Sequence, residues 1–328
     1  MEGTFLSSRE NDLFSKLNKS DLNHLLNEIE NYYLEYRTTL NLPKDITFGV
    51  ELEYEGIFKR TVDRFITENY KNWISKIDTS LIIGGEISSP VMIDEKKYWK
   101  ELKDICEFLS KKRADTLHNA GGHIHVGACA LGDNLTSWKN FLKLYTVYEH
   151  ILTRFFYGDK VSARKYILDY AHPVSSLLYN GIDLINSANC VCSLKWKVPF
   201  DNKYLALNFL NVDFYEPACN NKKNTIEFRE PNASTSEVIW QNNINVCTKM
   251  LNASKNLDTE FLDYKISHDY YTYDKEKYNK VNIEEAVEFV DIVFDNNLDK
   301  IYFLRQYIKN FEENSKAKKA VMAKRFVK

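Results

Sequence analysis

Between residues 46 and 231 the chain alternates short period-two or apolar segments with longer stretches of helical spacing. The segments "ITFGVELEYEG" (46–56), "LIIGGEISSP" (81–90), "GGHIHVGACA" (121–130), "YLALNFL" (204–210) and "NTIEFREP" (224–231) read as strands. Helical spacing predicts helices over 94–113, with Trp99, Leu102, Ile105, Cys106 and Leu109 on one face, over 135–157, and over 236–253. Upstream, Leu22, Leu25, Leu26, Ile29, Tyr32, Tyr33 and Tyr36 behind Ser20 predict a long amphipathic helix over 20–38. Downstream, further helices are expected at 283–295 and 298–312. These separations allow neighbouring strands to run parallel or antiparallel, so spacing alone leaves the sheet topology open.

The 328 residues, 44% hydrophobic and 14% aromatic, are enough for a sizeable core. Lys and Arg (44) nearly balance Asp and Glu (46), a net charge of -2, so no global basic field recruits nucleic acid or an anionic membrane. The N-terminus lacks a basic region followed by an apolar run, and no stretch approaches a membrane span. A cytoplasmic protein is expected. Its six cysteines include one close pair, Cys190 and Cys192, and no CxxC repeat, which predicts reduced, mostly buried thiols. Of the 11 glycines, eight fall between residues 49 and 132, where tight turns and close backbone approaches should concentrate.

The chemistry lies in the strands. Side chains two apart share a strand face, so Glu51 pairs with Glu53, His123 with His125, and Glu227 with Arg229, each with an apolar residue opposite. Glu86 follows a Gly-Gly pair in a fourth segment. A single such pair is what any solvent-facing strand offers. Four Glu, two His and one Arg in Gly-flanked strands point further: converging carboxylates repel one another unless cations lie among them. Oxygen donors with an imidazole suit Mg2+ or Mn2+, and an Arg beside them suits phosphate. Together they suggest a nucleoside triphosphate.

In this order, "FGVELEYEG", "GGEISSP", "GGHIHVG" and "NTIEFREPNAS" resemble the amidoligase family of carboxylate-amine ligases, related to glutamate-cysteine ligase and glutamine synthetase. "YEHILTRFFYGDKVSARKYILDYAHP" resembles the family's helical segment, and "KYLALNF" its strand with an Asn. The resemblance covers about residues 45 to 250. It implies an α+β fold: a curved, mostly antiparallel sheet of glutamine-synthetase catalytic type, with helices on its outer side, around ATP and two or three Mg2+ or Mn2+ ions. By motif position Glu51, Glu53, Glu86, His123 and Glu227 would be metal ligands. Arg229 would hold the terminal phosphate, with Arg164 and Asn208 as weaker nucleotide-side candidates. His125 would act in catalysis at substrate or phosphate, or pair with a neighbouring carboxylate. The organisation expected is an N-terminal helical extension (1–44), a catalytic core (45–253) and a C-terminal helical region with a basic tail (254–328).

The implied reaction is ATP-dependent amide or isopeptide bond formation through an acyl phosphate, joining small-molecule or peptide carboxylate and amine substrates. The absence of "GxxxxGK[ST]" and "GxGxxG" fits a nucleotide held by metals and carboxylates. A metal-dependent hydrolase and an inactive nucleotide-binding scaffold remain as alternatives. Specificity is expected in the loop after Gly84-Gly85, around Trp73, and in the loop "EPACNNKKN". The Tyr-rich segment 268–278 either covers the core or lines a groove, and the basic tail is either solvated or a binding arm.

Overall fold

The computed structural model describes residues 29, 32–116, 119–157, 170–198, 202–219, 223–269 and 282–308. Six strands form one open sheet: β1 (Phe48–Glu55), β2 (Ile74–Lys76), β3 (Gly84–Ser88), β4 (Gly122–Gly127), β5 (Leu207–Asn208) and β6 (Thr225–Phe228). Their order is β2-β3-β1-β4-β6-β5, and every neighbouring pair is antiparallel. With its helices this makes the α+β class expected from the sequence.

Alternation sorts the sheet's two faces. Val50, Leu52, Tyr54, Ile87, Ile124, Val126, Ile226 and Phe228 are all buried on one side. They meet helices α2 (Lys96–Lys111), α3 (Leu135–Tyr157) and α7 (Glu237–Ala253). Phe48 stacks on Trp99 of α2 at 5.2 Å, and Phe141 of α3 meets Phe228 edge-on at 6.2 Å. Helix α7 approaches β4 so closely that a Cβ on Gly122 would lie 2.6 Å from the Asn232 carbonyl and 2.9 Å from the Trp240 ring. Gly84 is under tighter constraint, since a Cβ there would lie 1.9 Å from the Tyr54 carbonyl of the paired strand.

The remaining helices are α1 (Lys59–Asn69), α4 (Ser175–Asn180), α5 (Ile182–Asn186), α6 (Val191–Lys197), α8 (Thr259–His268), α9 (Ile283–Val293) and α10 (Asn297–Ile308). Helix α8 packs on α3, and α9 and α10 pack on α3 and α7. Among the described residues, no helix is long and apolar enough to cross a membrane.

Three expectations change. Of the helix expected over 20–38, Ile29 is helical but 32–37 are not. That stretch spends its backbone groups on other elements: Glu35 N donates to the Tyr302 hydroxyl (3.0 Å), Arg37 N to Gln241 Oε1 (2.9 Å), and the Tyr32 carbonyl accepts from Arg305 Nε (3.1 Å). Docking against α7 and α10 thus replaces local helix. Cys190 and Cys192, expected as thiols, are joined in a disulfide with their Cα atoms 5.4 Å apart, while Cys106, Cys129, Cys219 and Cys247 are free. The third change concerns specificity loops: the residues after Gly84-Gly85 are strand β3, and Trp73 is buried with its indole N–H on Glu101 (2.8 Å). Arg164, the tail, and nearly all of the Tyr-rich segment lie outside the described residues.

Candidate active site

Strand register brings the polar side chains together on the face away from α2, α3 and α7. Across β1 and β4 Glu51 stands opposite His123; across β1 and β3 Glu53 stands opposite Glu86. His125 stands opposite Glu227, and Glu227 opposite Asn208. Opposed residues on antiparallel strands share a face, so five strands supply one cluster.

Its centre is compact. His123 Nδ1 lies 3.3 Å from Glu51 Oε2 and 3.6 Å from Glu227 Oε1, and its Nε2 lies 3.7 Å from Glu53 Oε1. Arg229 donates from a terminal nitrogen to Glu227 Oε1 at 2.5 Å and from Nε to the Tyr170 carbonyl at 3.3 Å. Asn208 donates to the second Glu227 oxygen at 2.8 Å. Glu53 accepts from the Gly121 N–H at 2.5 Å. Glu86 stands toward the sheet edge, accepting from Ser88 (2.5 Å) and Lys76 (3.1 Å). Burial works against ionisation of Glu51. The imidazoles of His123 and His125 beside it outweigh this and hold the carboxyl well below the usual carboxylate range.

The cluster also fits a divalent cation. Glu51, His125 and Glu227 each present one ligand atom, all within 4.8 Å of one another. His125 Nε2 is buried, makes no hydrogen bond, and lies 3.4 Å from Glu51 Oε1. The other ring nitrogen lies 3.3 Å from the Thr225 hydroxyl, the kind of outer contact that orients a ligating imidazole. Two carboxylates and one imidazole suit Mg2+ or Mn2+. The tightest three-donor set therefore takes His125, while His123 bridges all three carboxylates beside it.

A cavity of about 720 Å³ opens over this face, lined by Glu51, Glu53, Glu86 and His123 from the strands and by Arg229 just past β6. Its other walls carry Asp78 to Ser80, Ile82, Asn119, Tyr170, Lys203 and Tyr204. Asp78, Tyr170, Lys203 and Tyr204 were not singled out from the sequence as site residues: Asp78 stands in no motif, and the family-like segments that contain Tyr170, Lys203 and Tyr204 pointed to Arg164 and Asn208 instead.

A family model described as "Putative amidoligase enzyme" matches residues 56–251, more than half of the chain. The chain belongs to the amidoligase family. The family's name points to an enzyme that forms amide bonds. No curated protein matches it in sequence. The amidoligase match begins just after β1, so it spans Glu86, His123, His125, Asn208, Glu227 and Arg229 but not Glu51 and Glu53. Those two join the site through the pairing of β1 with β3 and β4.

Proposed function

We propose that this amidoligase is an ATP-dependent carboxylate-amine ligase that forms an amide or isopeptide bond through an acyl phosphate, releasing ADP and phosphate. The observation that carries the reading is the Arg229–Glu227 contact at 2.5 Å. It sets a planar, five-donor cation beside a carboxylate of the candidate metal set, which is where a terminal phosphate bridging the metal and the guanidinium would lie. Glu51, His125 and Glu227, with His123, Glu53 and Glu86 around them, would hold one or more Mg2+ or Mn2+ ions. Bound there, the cation would neutralise charge on the phosphoryl oxygens.

The residues then have separate tasks. Arg229 orients the γ-phosphoryl group and stabilises charge on it as the substrate carboxylate oxygen bonds to phosphorus and the bond to the β-phosphate bridge breaks. Asn208 holds Glu227 in place from the far side. The buried floor of the cavity limits water at the acyl phosphate, so that an amine rather than water attacks the carbonyl. The amine loses a proton and phosphate departs with one oxygen from the acid.

That oxygen is the test. With a turned-over acid and amine, oxygen-18 placed in the substrate carboxylate is expected in the released phosphate. Amide formed with unlabelled phosphate, or with AMP and pyrophosphate as by-products, excludes the acyl-phosphate route, and metal-dependent hydrolysis without ATP consumption excludes a ligase.

A further inference from the structure

The two ends of the cavity differ in chemistry. At the β2–β3 end stand Asp78, Glu86 and Glu53. Asp78 spends Oδ1 on the backbone and hydroxyl of Ser80 (2.7 and 2.6 Å), and Glu86 is partly offset by Lys76. At the β5–β6 end stand Arg229, Lys203 and two aromatic rings, Tyr170 and Tyr204. The rings meet edge-on with centroids 6.0 Å apart, both are exposed, and Lys203 Nζ lies 4.8 Å from the Tyr204 centroid. Among the described residues Lys203 has no carboxylate partner.

The wall is held by backbone pairing and does not depend on the rings themselves. His172 N donates to the Tyr204 carbonyl (2.7 Å), Ala206 N to the His172 carbonyl (2.8 Å), and Arg229 N to the Ala206 carbonyl (2.8 Å). Arg229 Nε reaches the Tyr170 carbonyl as well. Both tyrosines are thereby fixed relative to Arg229, with exposed ring surface facing the cavity and no core role to account for it.

We propose that Tyr170, Tyr204 and Lys203 form the nucleoside end of the ATP site: the base stacks on the tyrosines, Lys203 meets the α- and β-phosphates, and the triphosphate runs toward Arg229. The inference rests on the ligase reading above and assigns its direction. Charge decides that direction, because beyond the metal-binding carboxylates a triphosphate run toward Asp78 would meet a further carboxylate, whereas along Lys203 and Arg229 it meets cations. Aromatic faces accept any flat base, and Arg or Lys beside them selects those carrying phosphate. The Asp78 end is then left for the amine-bearing substrate, whose ammonium form it attracts.

Calorimetric titration of the full chain with Mg2+ and a non-hydrolysable ATP analogue tests this, with adenosine and inorganic triphosphate as the two partial probes. Tyr204→Ala is expected to weaken the analogue and adenosine by about tenfold or more, with triphosphate unchanged and Tyr204→Phe close to wild type. Lys203→Ala should weaken the analogue and triphosphate but not adenosine. Since Lys203 and both rings are exposed, folding should be unaffected, and unchanged thermal melting would confirm it. If wild type binds the analogue and Tyr204→Ala binds it equally well, the inference is overturned and the ligase reading stands. If wild type binds no analogue with Mg2+ present, the ligase reading itself falls, and the inference with it.

Discussion

His125 Nε2 lies buried 3.4 Å from Glu51 Oε1 without a hydrogen bond, and the residue paired with His125 on β1 is Gly49. A glycine there presents no side chain to the imidazole, and the ring's free nitrogen is left among carboxylate oxygens. A buried nitrogen that makes no hydrogen bond is costly in a folded protein unless something else takes it, and a cation would.

Glu51→Gln removes one negative donor while keeping size. Calorimetric titration with Mn2+ is expected to show at least about tenfold weaker binding, with the melting temperature in metal-free buffer little changed. Binding equal to wild type would remove Glu51 from the metal set.

The two histidines should separate. His125→Asn is expected to reduce metal affinity more than His123→Asn, because His125 supplies a donor of the tight set and His123 bridges carboxylates around it. Parallel metal titration and thermal melting read the two effects. If His123→Asn has the larger effect on affinity, the donor assignment is reversed.

Arg229→Lys keeps the charge and loses the fork. Turnover is expected to fall about a hundredfold, as for loss of one transition-state donor, while affinity for Mg-ATP changes far less. Equal losses in both would make Arg229 a binding group only.

Glu230 points to the opposite face from Glu227 and Arg229, buried against α3, where Tyr145 and Thr153 each donate to it at 2.6 Å. Burial, then the nearby charge of Glu149, push its carboxyl up to about 8. The folded chain thus holds a proton that the unfolded chain releases near its ordinary carboxylate range, so this contribution to stability is full at acid pH and is lost as pH rises through about 8. Glu230→Gln, which stays neutral, should gain melting temperature relative to wild type as pH increases from 5 to 9, by roughly several degrees. A gap that does not change with pH would show that Glu230 is ionised in the fold.

Much of this was legible in the chain itself. Period-two alternation in "VELEY", "HIHV" and "TIEFRE" put Glu51 with Glu53, His123 with His125, and Glu227 with Arg229, since a strand has only two faces. The helices over 94–113, 135–157 and 236–253 were recovered within a few residues at each end, because each carries a long apolar stripe. By contrast, β2 has three residues and no pattern, and α1 buries only Val62 and Ile66, so neither announced itself.

By itself, then, the sequence determined which side chains share a strand face and which family's motifs they form. Tertiary structure alone decided that β1 lies between β3 and β4, that β6 follows, and that three separate pairs and Glu86 make one cluster. Register between strands far apart in sequence depends on how their apolar faces meet α2, α3 and α7, a property of the packed whole. The same holds for residues 32–37, which leave a helical pattern to bond with side chains of α7 and α10, and for Tyr170, Lys203 and Tyr204. These three lie in family-like segments whose pattern assigns them no role; the pairing of His172 with Leu205 and the bonds from Arg229 to the Ala206 and Tyr170 carbonyls set them beside Arg229.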